Sequence, residues 1–120
     1  MAKILVVDDS PTEMAKFRDI LTRHQHVVIE AHTGEEGIQS AINHQPDIIL
    51  MDVVMPEMNG FQATRQITRN PATSHIPVVI ISTKGQETDR VWGKRQGAKD
   101  YLTKPITETQ LLDVIHTVMG

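Results

Sequence analysis

Four short apolar runs, Ile4–Val7, Val27–Ile29, Ile48–Met51 and Val78–Ile81, recur along the chain, and each is continuous instead of alternating. A strand that faces water on one side alternates polar and apolar residues. A strand covered on both faces does not, and such strands belong to parallel sheets sandwiched between helices. The intervening segments supply those helices. Ser10-Pro11-Thr12-Glu13, Thr33-Gly34-Glu35-Glu36 and Thr107-Glu108-Thr109-Gln110 each set a hydroxyl three residues ahead of Glu or Gln, the pattern of a capping box. Pro11 at the first helical position strengthens the first start. The last segment carries Leu111, Leu112, Ile115, Val118 and Met119 on one helical face, which packs it on the sheet. A fifth, weaker strand is expected at Asp100–Thr103, entered through Gly97 at a helix-terminating position. The chain reads as five β/α units of an α/β fold. Its 120 residues, 39% hydrophobic, suffice for one core, so residues 1–120 are expected to form a single domain with no output domain after Gly120.

Charge and composition exclude several functions. Fifteen acids against twelve bases, a net charge of -3, offer no bulk attraction for nucleic acid. The absence of cysteine agrees with a reducing compartment, and a cytoplasmic location is expected. Ile4–Val7 is too short for a signal peptide or a membrane span, so no membrane insertion is expected. His24, His26, His32, His44, His75 and His116 are scattered without zinc-site spacing and are assigned to the surface. Neither a Walker loop nor a nucleophile elbow occurs.

Acids stand at the ends of two of the runs. Asp8 and Asp9 follow the first, Asp52 follows the third, and Lys104 lies in Tyr101-Leu102-Thr103-Lys104-Pro105. Open α/β sheets bind ligands outside the carboxyl ends of their strands. If strands one and three are neighbours, the three carboxylates converge. At about 4 Å two like charges repel by roughly 1 kcal/mol even in water, and several-fold more near protein, so such a trio needs a cation. Mg²⁺ suits it, because this ion prefers oxygen ligands, and Asp9 and Asp52 are the expected direct ligands. Alternation alone does not say which strands are neighbours.

The combined pattern Val6-Val7-Asp8-Asp9-Ser10, Met51-Asp52-Val53-Val54-Met55-Pro56-Glu57-Met58-Asn59-Gly60, Ile81-Ser82-Thr83 and Lys104-Pro105 resembles bacterial response-regulator receiver domains of the CheY-like type, over the whole chain. The stretches Phe61–Gln66 and Gln86–Gly97 further resemble PilH-type receivers, from the chemosensory system that controls twitching motility by type IV pili. The resemblance implies a flavodoxin-like, doubly wound sheet of five parallel strands in the order 2-1-3-4-5, flanked by five helices. It also implies that Asp52 accepts a phosphoryl group from a CheA-like histidine kinase. Asp9 and Asp52 would bind Mg²⁺ directly, Asp8 through a water and Val54 through its backbone carbonyl, while Lys104 neutralises the transferring group. Ser82 and Tyr101 would form the switch, Ser82 moving toward the phosphate and Tyr101 rotating inward behind it. The signal would leave through the α4-β5-α5 face to an effector protein, and a monomer is expected.

Two other functions compete. A phosphate sink, draining a shared kinase by rapid autodephosphorylation, would use the same residues. A Mg²⁺-dependent small-molecule phosphohydrolase of the haloacid-dehalogenase type would need Asp-x-Asp-x-Thr after the first strand, which Asp8-Asp9-Ser10-Pro11 does not supply. The fourth helix departs from the family pattern. Gly93 interrupts it, Lys94 replaces a usual apolar residue, and Trp92 is expected outward with Val91 inward. Six of the twelve bases fall between Lys84 and Lys104. A mobile helix and a basic partner face carrying Trp92, Lys94 and Arg95 are expected.

Overall fold

A computed structural model describes residues Met1–Gly120. The elements alternate throughout: β1 (Lys3–Val7), α1 (Pro11–Arg23), β2 (Val27–Ala31), α2 (Gly34–His44), β3 (Ile48–Met51), α3 (Gly60–Arg69), β4 (Val78–Ser82), α4 (Glu87–Arg95), β5 (Asp100–Thr103) and α5 (Glu108–Met119). All five strands are parallel, in the order β2-β1-β3-β4-β5. The expected fold and strand order are both present. No helix is long and apolar enough to cross a membrane.

Helices cover both faces, which is why the central strands need no polar side. Leu5, Val7, Ile49, Met51, Val78 and Ile80 point toward α2, α3 and α4, where Ile38, Ala41, Phe61 and Ile67 meet them. Ile4, Val6, Ile48, Leu50, Val79 and Ile81 point the other way, onto Met14, Phe17 and Leu21 of α1 and Leu111, Val114 and Ile115 of α5. β1, β3 and β4 are almost wholly buried, whereas β2, at the sheet edge, leaves Val27 53% exposed.

Several local expectations change. On α5 the buried face is Leu111, Val114 and Ile115, with Met119 exposed, because Val114 completes the i, i+3, i+4 spacing and Met119 is in the fraying last turn. The full capping box forms at α5 between Thr107 and Gln110, and also at α3 between Asn59 and Gln62, where none was expected. At α1 and α2 only the hydroxyl half forms, from Ser10 and Thr33. His26 is not a plain surface residue: its Nδ1 accepts the Ala2 N–H at 3.0 Å. On α4 Trp92 is outward as expected, 48% exposed, but Val91 is not inward: it is 44% exposed, and Gly93 is the buried residue.

Candidate functional site

Register places the acids. Val7 pairs with Met51 across β1 and β3, so Asp8 and Asp52 leave the sheet side by side at its carboxyl edge. The Asp52 N–H donates to the Val7 carbonyl at 2.9 Å and the Asp8 N–H to the Ala31 carbonyl at 3.0 Å, which ties both residues to neighbouring strands. Asp8 and Asp52 are buried and Asp9 is exposed, yet one oxygen from each lies within 4.8 Å of the others. Gly60, the first residue of α3, lets the loop after Asp52 fold back on itself. A Cβ there would sit 1.9 Å from the Asp52 carbonyl oxygen.

Lys104 arrives from the far side of the sheet, its N–H donating to the Ser82 carbonyl at 2.8 Å. The Lys104–Pro105 peptide is cis. The ammonium lies 2.9 Å from Asp8 Oδ2, 3.4 Å from Glu13 Oε1 and 3.5 Å from Asp52 Oδ1, and the side chain is 10% exposed. Burial, followed by repulsion from Asp8, raises the Asp52 carboxyl to about 6 despite the opposing pull of Lys104. Burial opposes the Lys104 charge, but the hydrogen bond to Asp8 and the charges of Asp52, Asp8 and Glu13 outweigh it and hold the ammonium above its ordinary value.

A hard cation fits these donors. The cluster is all oxygen, and the Asp8 repulsion that adds to burial in lifting Asp52 is what a divalent ion relieves. Val54 follows at the rim, 58% exposed, and its carbonyl accepts no backbone hydrogen bond. None of the molecule's three clefts is lined by Asp8, Asp9 or Asp52; the largest, about 590 Å³, lies between Thr33, Glu57, Met58 and Arg65. The acids lie outside these clefts, with Asp9 exposed at the outer edge of the cluster.

Residues 4–116 match the response regulator receiver domain. The chain belongs to this family. Protein PilH of Pseudomonas aeruginosa is 58% identical over 120 residues, covering 100% of this chain and 99% of its own length. The Vibrio cholerae chemotaxis protein CheY4 superimposes with a TM-score of 0.92 at 30% identity, over 98% of both chains. The receiver domain of the sensor histidine kinase PA1611 of Pseudomonas aeruginosa has a magnesium ion coordinated in its active-site cleft. It superimposes with a TM-score of 0.92 at 27% identity, over 99% of this chain and 98% of that one. This receiver is thus a response regulator of two-component signalling and a homologue of PilH.

Behind the acids lie the two residues expected to switch. Ser82 ends β4 fully buried, its Oγ accepting the Lys84 N–H at 3.2 Å. Tyr101 is 1% exposed, with its hydroxyl donating to the Lys84 carbonyl, so the ring already occupies the inward position. Burial pushes its phenol up. The Phe61 ring stacks on it at 6.5 Å, and the Arg90 guanidinium lies 5.6 Å from its centroid. Arg90 also donates to the Tyr101 carbonyl at 3.0 Å and to Thr103 Oγ1 at 2.7 Å. Gly93 makes room, since a Cβ there would lie 2.8 Å from Tyr101 Cδ2.

The expected basic strip is smaller than its residue count. Arg90 is committed to β5 and Lys104 to the acids, leaving Lys84, Lys94, Arg95 and Lys99 exposed. Lys94 and Arg95 are open to solvent, whereas Trp92 borders a cleft with Asn59, Phe61, Arg65 and Gln96, on the α3 side of α4. Sequence reading missed two contributors, Glu13 and Arg90. Glu13 enters the sequence only as part of a cap and Arg90 only as one of six bases, and no local pattern signals contacts across 91 or 11 residues of chain.

Proposed function

We propose that this receiver accepts a phosphoryl group on Asp52 from a histidine kinase of the CheA-like type. It then signals by contact with an effector protein, in the control of type IV pilus twitching motility. The observation that carries the assignment is the placement of Asp52. It is buried at the end of β3, beside a second carboxylate and within 3.5 Å of the Lys104 ammonium. The kinship with PilH supports the pathway.

In the proposed reaction an Asp52 Oδ attacks the phosphorus in line, an O–P bond forms, and the P–N bond to the kinase histidine breaks. The imidazole nitrogen takes the electron pair. Lys104, already desolvated beside Asp52, offers its ammonium to the oxygens of the transferring group. Asp9 and Asp52, with the Val54 carbonyl and Asp8 through water, would hold Mg²⁺, which supplies neutralising charge when bound. Acids at the sheet rim, outside the three clefts, suit a donor group presented by another protein better than a small-molecule phosphohydrolase. The buried Ser82 hydroxyl would then donate to a phosphoryl oxygen, and the movement of Oγ toward it would pull on the bond that Oγ accepts from the Lys84 N–H. Because Tyr101 is anchored on the Lys84 carbonyl, that change reaches α4 and the α4-β5-α5 face.

The test is transfer from a labelled, phosphorylated histidine kinase in the presence of Mg²⁺. Label is expected on the native protein and absent from Asp52→Asn. Transfer that survives the substitution would refute the acceptor assignment. A short-lived label with no binding partner would favour the phosphate sink, for which the exposed Val54 and Lys84 leave water a path.

A further inference from the structure

The Lys104 ammonium has a carboxylate neighbour that the proposed transfer does not employ. Glu13 is the third residue of α1, and its N–H donates to Ser10 Oγ at 3.3 Å, as a cap requires. The return half of the box does not form, because the Ser10 N–H donates instead to Asp8 Oδ1 at 2.9 Å. In α3 and α5 the equivalent Gln62 and Gln110 side chains do close the box, at 2.9 and 2.8 Å. Released from capping, the Glu13 carboxylate lies 3.4 Å from Lys104 Nζ with its side chain 29% exposed.

We infer that Glu13 is a positioning residue that holds the Lys104 ammonium in the resting site and competes with the phosphoryl group for it. An ammonium has three N–H donors, and here it faces three carboxylates. The ammonium donates a hydrogen bond to Asp8 alone, so an arriving phosphoryl oxygen competes with Glu13 and Asp52 for the remaining two donors. Asp8 is the shortest contact and is held from its other oxygen by Ser10. Asp52 is the group being modified. Glu13, at the rim and at a longer distance than Asp8, is the partner that yields. Its charge keeps Lys104 in place beforehand and opposes the anion afterwards.

The inference rests on the acceptor reading of Asp52, and one experiment separates their failures. Beryllofluoride, a phosphoryl mimic, is titrated at saturating Mg²⁺ into the native protein, Glu13→Gln, Glu13→Asp and Asp52→Asn, with bound anion read by fluorine NMR. Mg²⁺ affinity is measured separately without the anion. Glu13→Gln is expected to bind beryllofluoride about five- to tenfold more tightly, with Mg²⁺ affinity unchanged or weaker. Glu13→Asp, which keeps the charge, stays near the native value. A folded Glu13→Gln with unchanged or weakened anion affinity overturns the inference, as does a gain shared equally by Glu13→Asp. Beryllofluoride binding that persists in Asp52→Asn instead sinks the acceptor reading.

Discussion

Helices α3 and α4 lie side by side on the same sheet face but are held there by different forces. α3 buries Phe61, Ala63 and Ile67, so apolar area seats it. α4 buries Gly93 alone, and what seats it is the Tyr101 ring beneath that glycine together with the bonds from Arg90 to Tyr101 and Thr103 of β5. An apolar seat is insensitive to small shifts at the acids. A seat made of one ring and one guanidinium is not, because Tyr101 is anchored on the Lys84 carbonyl, two residues past Ser82. The difference marks α4 as the helix that the proposed switch would move and α3 as the one it would leave in place.

The contrast can be broken most directly from the α3 side. Ile67→Ala, at a fully buried position, should lower unfolding free energy by about 3–4 kcal/mol in urea denaturation. A loss under about 1 kcal/mol would mean that α3 is not seated by apolar area. Asp52→Asn examines the loop that launches α3. The folded value of about 6 lies above the ordinary 3.8, so ionising Asp52 opposes folding. That penalty is absent below about pH 4, grows through pH 6 and is complete above it, amounting to about 2–3 kcal/mol. Metal-free Asp52→Asn should therefore be more stable than the native protein at pH 8 and equal to it near pH 4, and a gap that widens on acidification would reverse the assigned cause.

Gly93→Ala sharpens the α4 half. With its new Cβ at 2.8 Å from Tyr101, it should cost about 1–2 kcal/mol, and most of that loss should vanish in a Tyr101→Ala background. Additive losses would separate the glycine from the ring. Trp92→Ala should change stability by less than about 0.5 kcal/mol, since the indole is 48% exposed. Amide exchange provides the comparison in one measurement: α4 amides should open at lower free energy than those of α3, and equal protection would remove the distinction.

Much of the architecture is legible in local pattern. Continuous runs such as Ile48–Met51 announce strands buried on both faces, and Thr107 with Gln110 announces the start of α5. The four polar residues at strand ends, Asp8, Asp9, Asp52 and Lys104, stand out for the same reason, since charges that interrupt apolar runs mark the rim of the sheet. Helix α4 was less legible. Val91 has the apolar side chain that a periodicity argument would bury, yet Gly93 faces the sheet because an aromatic ring from β5 fills the space a side chain would take.

By itself, then, the order of residues determined the element types, the parallel class of sheet and the identity of the acids, because each depends on neighbours a few positions apart. Only the tertiary structure decided that Glu13 leaves its cap for Lys104, that Arg90 ties α4 to β5, and that Tyr101 lies inward. Those outcomes join groups distant in the chain, such as Glu13 with Lys104. They are settled by distances that exist only once the strands have paired.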